Sequence, residues 1–235
     1  MAEELENEVL EVKETQKNES SNGGFIGKAF DFFEEKQQLL AYVGGGALVL
    51  IGVAVFVFAK WLPDRNVAAQ KAVFKAELAF AKDSFALALN GNGSDVKGFL
   101  EVGDKFSFTK TASLSNYYAG ICYLNLKQYD NAVKYLGKFS TSDPILGAVR
   151  YSALGDAYAE LGKMDDAISN YEKAASFSTN DVYTPYFLLK AALANESQKQ
   201  YSDAKGLLEK IKADFPNSDE GREIEKYLAR VNAAL

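Results

Sequence analysis

Residues 151–175 read YSALGDAYAELGKMDDAISNYEKAA. Aromatic, aliphatic and small side chains recur there at helical spacing, and Gly162–Lys163–Met164–Asp165 breaks the run midway. The stretch therefore reads as two amphipathic helices joined by a short turn. Working outward, the pattern returns. Aligning Gly120 with Gly155 brings Tyr123 onto Tyr158, Ala132 onto Ala167 and Leu136 onto Tyr171, at a constant offset of 35 residues. Asp130–Asn131–Ala132 falls on Asp165–Asp166–Ala167. A third copy, Tyr201–Ser202–Asp203–Ala204, has its alanine 37 residues beyond Ala167. A period of this length marks stacked helical hairpins, each with a hydrophobic face that only its neighbour can cover.

These residues resemble the tetratricopeptide repeat. The second copy carries Tyr151, Leu154, Gly155, Tyr158, Gly162, Ala167, Tyr171 and Ala174 at the pattern's aromatic, Leu, Gly and Ala positions. The first matches at Gly120, Tyr123, Ala132 and Pro144, with Leu136 at an aromatic position. The third keeps Ala204 and Pro216 but has Ala192 for Gly and Asn195 for the aromatic, as befits a unit near the end of an array. Gly155, Ala167 and Ala174 would let the two helices of a hairpin approach, and Tyr158 and Tyr171 would fill the space between hairpins. Lys127–Gln128–Tyr129–Asp130 and Lys199–Gln200–Tyr201–Ser202 are the matching turns, with Asp or Ser expected as N-caps.

Both ends extend the array. Residues 66–89 carry Ala, Val, Phe and Leu at helical periods, Asn90–Gly91–Asn92–Gly93 reads as a loop, and Ser94–Asp95 opens a helix near Val96–Phe106. This pair is a divergent first hairpin. Asp219–Ala234 reads as a closing helix with Ile224, Tyr227, Leu228 and Val231 on one face.

Upstream, Ala41–Ala59 (AYVGGGALVLIGVAVFVFA) is 19 residues without a charge. At 1.5 Å per residue it spans roughly 28 Å, the thickness of a bilayer's hydrocarbon core. Lys36 and Lys60 bracket it, Tyr42 and Trp61 sit at its ends, and Pro63 is expected to end the helix. A buried core helix would be shorter and apolar on one stripe. A cleaved signal peptide would follow a brief basic segment, whereas an acidic tail precedes this one. The segment thus reads as an uncleaved anchor that contacts the lipid bilayer through residues 41–59. No GxxxG spacing occurs among Gly44, Gly45, Gly46 and Gly52. The flanks carry Lys28 and Lys36 before the segment and Lys60, Arg65, Lys71 and Lys75 after it. Read literally, this charge bias places the C-terminal side in the cytoplasm.

Residues 1–38 hold ten acidic and four basic side chains, whereas residues 63–235 hold 22 and 21. The acidity belongs to the tail, and residues 1–22 have the composition of a disordered segment. Phe25, Ile26, Ala29, Phe30, Phe33 and Leu40 recur at helical spacing, an amphipathic lead into the membrane. The chain therefore reads as a tail over 1–38, an anchor over 39–62 and a repeat domain over 63–235.

No basic surplus attracts nucleic-acid phosphates. The chain has no histidine, which removes the usual general base and the commonest metal ligand. No P-loop, dinucleotide fingerprint, CxxC or HExxH occurs. Asp165–Asp166, Glu34–Glu35 and Asp219–Glu220 fall at turns, helix starts or the tail, where acids favour the helix dipole. Cys122, the one cysteine, sits among Ile121, Tyr123 and Leu124 and reads as a buried small hydrophobe. Tyr117–Tyr118, Tyr183–Tyr186–Phe187 and Phe106–Phe108 read as core or groove lining. The expectation is a non-enzymatic chain with no catalytic residue, cofactor or metal.

A short tail, one membrane helix, a Gly-rich loop and the segments Gly120–Leu124, Leu154–Tyr158 and Phe215–Ser218 resemble the membrane-anchored tetratricopeptide proteins of Bacteroidota-type bacteria. More distantly the chain is similar to the periplasmic ancillary subunit of the bacterial Sec translocon. The resemblance implies an all-α fold: one transmembrane helix, then a tetratricopeptide-like α-α superhelix of three to four hairpins with a C-terminal capping helix. It implies a single-pass inner-membrane protein with a cytoplasmic N-terminus and periplasmic repeats, contrary to the flank charges. It also implies a scaffold for other proteins or extended peptide segments, such as translocon components or periplasmic chaperones, that assists secretion or envelope protein biogenesis. The alternative is a structural spacer or oligomerisation module of an envelope assembly, and a homo-oligomer is compatible with either.

In peptide-binding tetratricopeptide repeats the first helix of each hairpin lines a concave face. The corresponding positions are Leu114, Tyr117, Ile121, Leu124 and Asn125 in the first copy. They are Val149, Ser152, Asp156, Ala159 and Glu160 in the second, and Tyr186, Leu189, Leu193, Glu196 and Ser197 in the third. The set mixes apolar with acidic residues and lacks a Lys/Arg carboxylate clamp, so an apolar or extended, even basic, client segment is expected.

Overall fold

The computed structural model describes residues 36–177 and 180–235. Contacts divide the chain into two units, Met1–Trp61 and Leu62–Leu235. The acidic tail and the amphipathic lead expected over residues 25–35 lie outside the described residues.

In the first unit, α1 spans Gln37–Phe56 and a π-helical turn follows at Val57–Trp61. From Ala41 to Lys60 every side chain is exposed except the half-buried Val57. An 18-residue window beginning in this stretch has a mean hydropathy of 2.3 and none of it is buried, so this helix is long and apolar enough to cross a membrane. Apolar side chains exposed on every side of a helix are what a hydrocarbon solvent permits and water penalises.

Among the described residues the second unit is helical throughout, apart from one isolated bridge between Gly91 and Lys97. Its first helix, α2, spans Leu62–Phe80 and buries Ala69, Val73, Ala76 and Ala79 on one face. Pro63 does not terminate a helix. It is the second residue of α2, directly after the π-helical turn, a local adjustment that commonly accompanies a proline within a helical run. The helix expected over 66–89 breaks at Ala81–Ser84, where Asp83 takes φ 55° and the Ser84 N–H donates to the Ala79 carbonyl at 2.9 Å. A short α3, Phe85–Asn90, follows. The next helix, α4, starts at Phe99 and ends at Lys105, later than the expected Val96. Asn92 delays it: its side-chain oxygen accepts from the Ser94 and Val96 amides, and its amide donates to Asp95. The Phe80 and Phe99 rings each lie 5.1 Å from Tyr118, which ties this divergent hairpin to the repeats.

Three regular hairpins follow. They are α5 (Lys110–Asn125) with α6 (Tyr129–Lys138), α7 (Pro144–Glu160) with α8 (Met164–Phe177), and α9 (Thr184–Ser197) with α10 (Tyr201–Asp214). Glycines close the first two hairpins as their spacing predicts, and Ala192 stands at the equivalent place in the third. A Cβ on Gly155 would lie 2.4 Å from the Tyr171 ring, and one on Gly120 would lie 2.6 Å from Leu136. Ala132, Ala167, Ala174 and Ala204 are wholly buried beside them.

The three hairpin turns share one geometry. Lys127, Gly162 and Lys199 all have positive φ, at 59°, 74° and 61°. Their amides bond the carbonyls three residues back, and the next amides (Gln128, Lys163, Gln200) bond those five back, at 2.8–3.0 Å. This is the Schellman closure of a helix C-terminus. The expected Asp or Ser N-caps are not used there: α6 and α10 begin after Gln128 and Gln200 with no side-chain cap, and Asp130 and Asp203 lie inside the first turn. Side-chain caps occur elsewhere, where Thr109, Asp143 and Ser218 accept from the starts of α5, α7 and the closing segment. That segment is not one helix. It divides at Glu223 into α11 (Asp219–Arg222) and α12 (Ile224–Asn232), and α12 buries Ile224, Leu228 and Val231.

Candidate partner-binding surface

The expected inner-face residues lie on α5, α7 and α9, the first helices of the three hairpins. Asn125, Glu160, Tyr186, Leu193 and Ser197 are exposed. Leu114, Ile121, Leu124, Val149, Asp156, Ala159, Leu189 and Glu196 are half-buried. Tyr117 and Ser152 are buried. Tyr117 packs against Phe139 and Tyr118 at ring distances of 5.3 and 5.5 Å, and burial pushes its phenol up to about 12. A substitution there would disturb the core along with any surface.

The structure brings one part of this set together around a residue outside it, Lys190. Its ammonium donates to Asp156 at 2.6 Å and to the Ser152 hydroxyl at 3.3 Å. It also lies 5.1 Å from the centre of the Tyr171 ring and 5.3 Å from that of Tyr186. The Tyr171 hydroxyl donates to the same Asp156 oxygen at 2.7 Å. Burial first, and then this bond to a carboxylate, holds the Tyr171 phenol well above its ordinary range. The side chains of Lys190 and Asp156 are 22% and 35% exposed, so the pair is partly desolvated, and its extra partners offset that cost.

The other two acids differ. Glu196 receives a bidentate pair from Arg230 of α12, at 2.5 and 2.6 Å. Glu160 is exposed, and its carboxylate raises the Tyr129 phenol. Asp156 and Glu196 are thus each paired with a cation, while Glu160 stands at the end of α7.

Sequence reasoning missed Lys190 and Arg230. For Lys190 a signal existed: it is the single charge between Tyr183 and Glu196, and a lone lysine on a mostly buried helix needs a partner. Arg230 is 34 residues from Glu196 in a different helix, and spacing alone does not pair them.

An open cleft of about 840 Å³ lies between the Ser107–Lys110 loop and the Ser140–Asp143 loop, with Phe108 beside it and Leu114 of the candidate face in its lining. Cys122 is buried and its thiol is pushed up to about 12, so it is an inert packing residue. Among the described residues no group of three or more His, Cys, Asp or Glu side chains is placed to hold a metal.

Paired antiparallel helices, small residues at the crossings and recurring turns define the class as a helical-repeat array. Within that array, family models of the tetratricopeptide repeat match, one at residues 115–144 and 186–218 and a second at 149–181. No curated protein matches the chain. Arrays of this kind are scaffolds that bind other proteins or peptides.

Proposed function

We propose that the chain is a non-enzymatic interaction scaffold tethered to the bacterial inner membrane through residues 39–62. Its partner segment lies along α5, α7 and α9, over the fifteen inner-face residues named above. The observation that carries this reading is the pairing of an exposed apolar helix with an array whose inner helices expose Tyr186 and Leu193 beside the cation-paired acids Asp156 and Glu196. The orientation with periplasmic repeats, and partners among translocon components or chaperones in secretion or envelope biogenesis, rest on the sequence resemblance. Proximity crosslinking in intact membranes, followed by mass spectrometry, tests the assignment. Recovery of translocon or chaperone peptides supports it, and recovery of cytoplasmic proteins alone overturns both topology and role.

A second reading has its own observation. On α2, Val67, Phe74 and Leu78 are 48%, 57% and 47% exposed on the face away from the buried alanines. Such a stripe suits self-association, which would make the domain an oligomerisation module. Light scattering of the full chain in detergent decides between them: a dimer dispersed by Phe74→Ser favours the module, and a monomer removes it.

A further inference from the structure

We infer that Lys190 sets the charge selectivity of the inner face, so that the array takes an uncharged, apolar segment of a partner chain and rejects a basic one. The inference rests on the scaffold reading above and names its client. Asp156 is the acid most central to the inner helices. A basic client would need it, but Lys190 already holds it at 2.6 Å, with Tyr171 on the same oxygen. Arg230 occupies both oxygens of Glu196 in the same way. At Asp156 or Glu196 a client lysine could bind only by displacing an intramolecular cation whose loss of freedom is already met in the fold. A client carboxylate would meet Asp156, Glu160 and Glu196 with no free clamp to receive it.

What α9 does offer is a strip. Tyr183, Tyr186 and Leu193 are 41%, 44% and 37% exposed and lie at helical spacing, with Lys190 between them turned into the ion pair. The strip runs about 15 Å along the helix. With Asp156 and Glu196 both paired, the surface around this strip suits an uncharged client, because neither side must leave a charge unpaired on desolvation.

The test uses the full chain in lipid nanodiscs and three fluorescent peptides of equal length. One is built from Leu, Phe, Ser and Gly, one has Lys at alternate positions, and one has Glu there. Anisotropy should show the uncharged peptide binding about tenfold more tightly than either charged one. Tyr186→Ala with Leu193→Ala should remove that binding. Lys190→Met frees Asp156 and should raise affinity for the Lys peptide about tenfold, and adding Asp156→Asn should abolish the gain. The double variant also guards against misfolding, since it removes both charges together, and circular dichroism checks each fold. The inference is overturned if the wild-type chain prefers the Lys peptide, or if folded Lys190→Met leaves the affinity for the Lys peptide unchanged. It is also overturned if the chain self-associates through Tyr186 and Leu193, which would give the strip to a second copy. Client crosslinks on the inner face without the predicted peptide order would sink this inference and leave the scaffold reading standing.

Discussion

Gly155 and Gly147 both face aromatic rings, yet their substitutions should differ. A methyl on Gly155 meets Tyr171 at 2.4 Å, and that ring is buried and fixed through its hydroxyl to Asp156. Gly155→Ala should therefore destabilise the array by about 1–3 kcal/mol in urea unfolding, the usual cost of overpacking. A methyl on Gly147 meets Phe177 at 2.0 Å, but that ring is 39% exposed and can swing outward, so Gly147→Ala should cost less. Equal losses would contradict the pinned-ring account. Cys122 gives a pH-dependent prediction. Its thiol rises from 9.0 to about 12 on burial, so the folded state favours the neutral form. That contribution is complete below pH 9 and is lost as pH climbs toward 12. At pH 8 a maleimide should label Cys122 slowly, and unfolding in urea should speed labelling sharply. Fast labelling of the native chain would show the thiol is not enclosed.

The repeated turns are the next scale. Lys127 and Lys199 hold the left-handed position that Gly162 fills without strain. Lys127→Gly or Lys199→Gly should each stabilise the array, by about 1 kcal/mol, because a Cβ in this conformation is unfavourable by that order. A loss of stability would mean that the lysine side chains contribute more than their backbone strain. The element scale also shows how far the sequence could be read. The three hairpins were legible because Gly120, Gly155 and the buried alanines sit at contacts that admit no larger side chain. Boundaries were less so. Asn92 turns its side chain to local amides and postpones α4, and Glu223 interrupts the closing helix, both through local geometry that periodicity does not register. Of the candidate surface, the mapped positions lie on α5, α7 and α9, but Tyr117 turns into the core and Lys190, which pairs with Asp156, was not among them. Hydrophobic spacing reports which face is covered; it does not report which charges meet across helices.

At the scale of the whole molecule, each hairpin relies on its neighbour, and the last relies on α12. Leu208 and Ile211 of α10 share a buried cluster with Ile224, Leu228 and Val231. Removing residues 219–235 should therefore cost on the order of 6 kcal/mol, about 2 kcal/mol for each of the three side chains lost, and should broaden the unfolding transition. The central claim is that partners lie along the first helices of the hairpins. It is tested most directly by placing a photo-crosslinking amino acid singly at Asn125 and Ser197, and at Lys134 and Glu209 on the second helices, all of them exposed. In intact cells the account predicts partner adducts from Asn125 and Ser197 and none from Lys134 and Glu209. Adducts confined to Lys134 and Glu209 would contradict it.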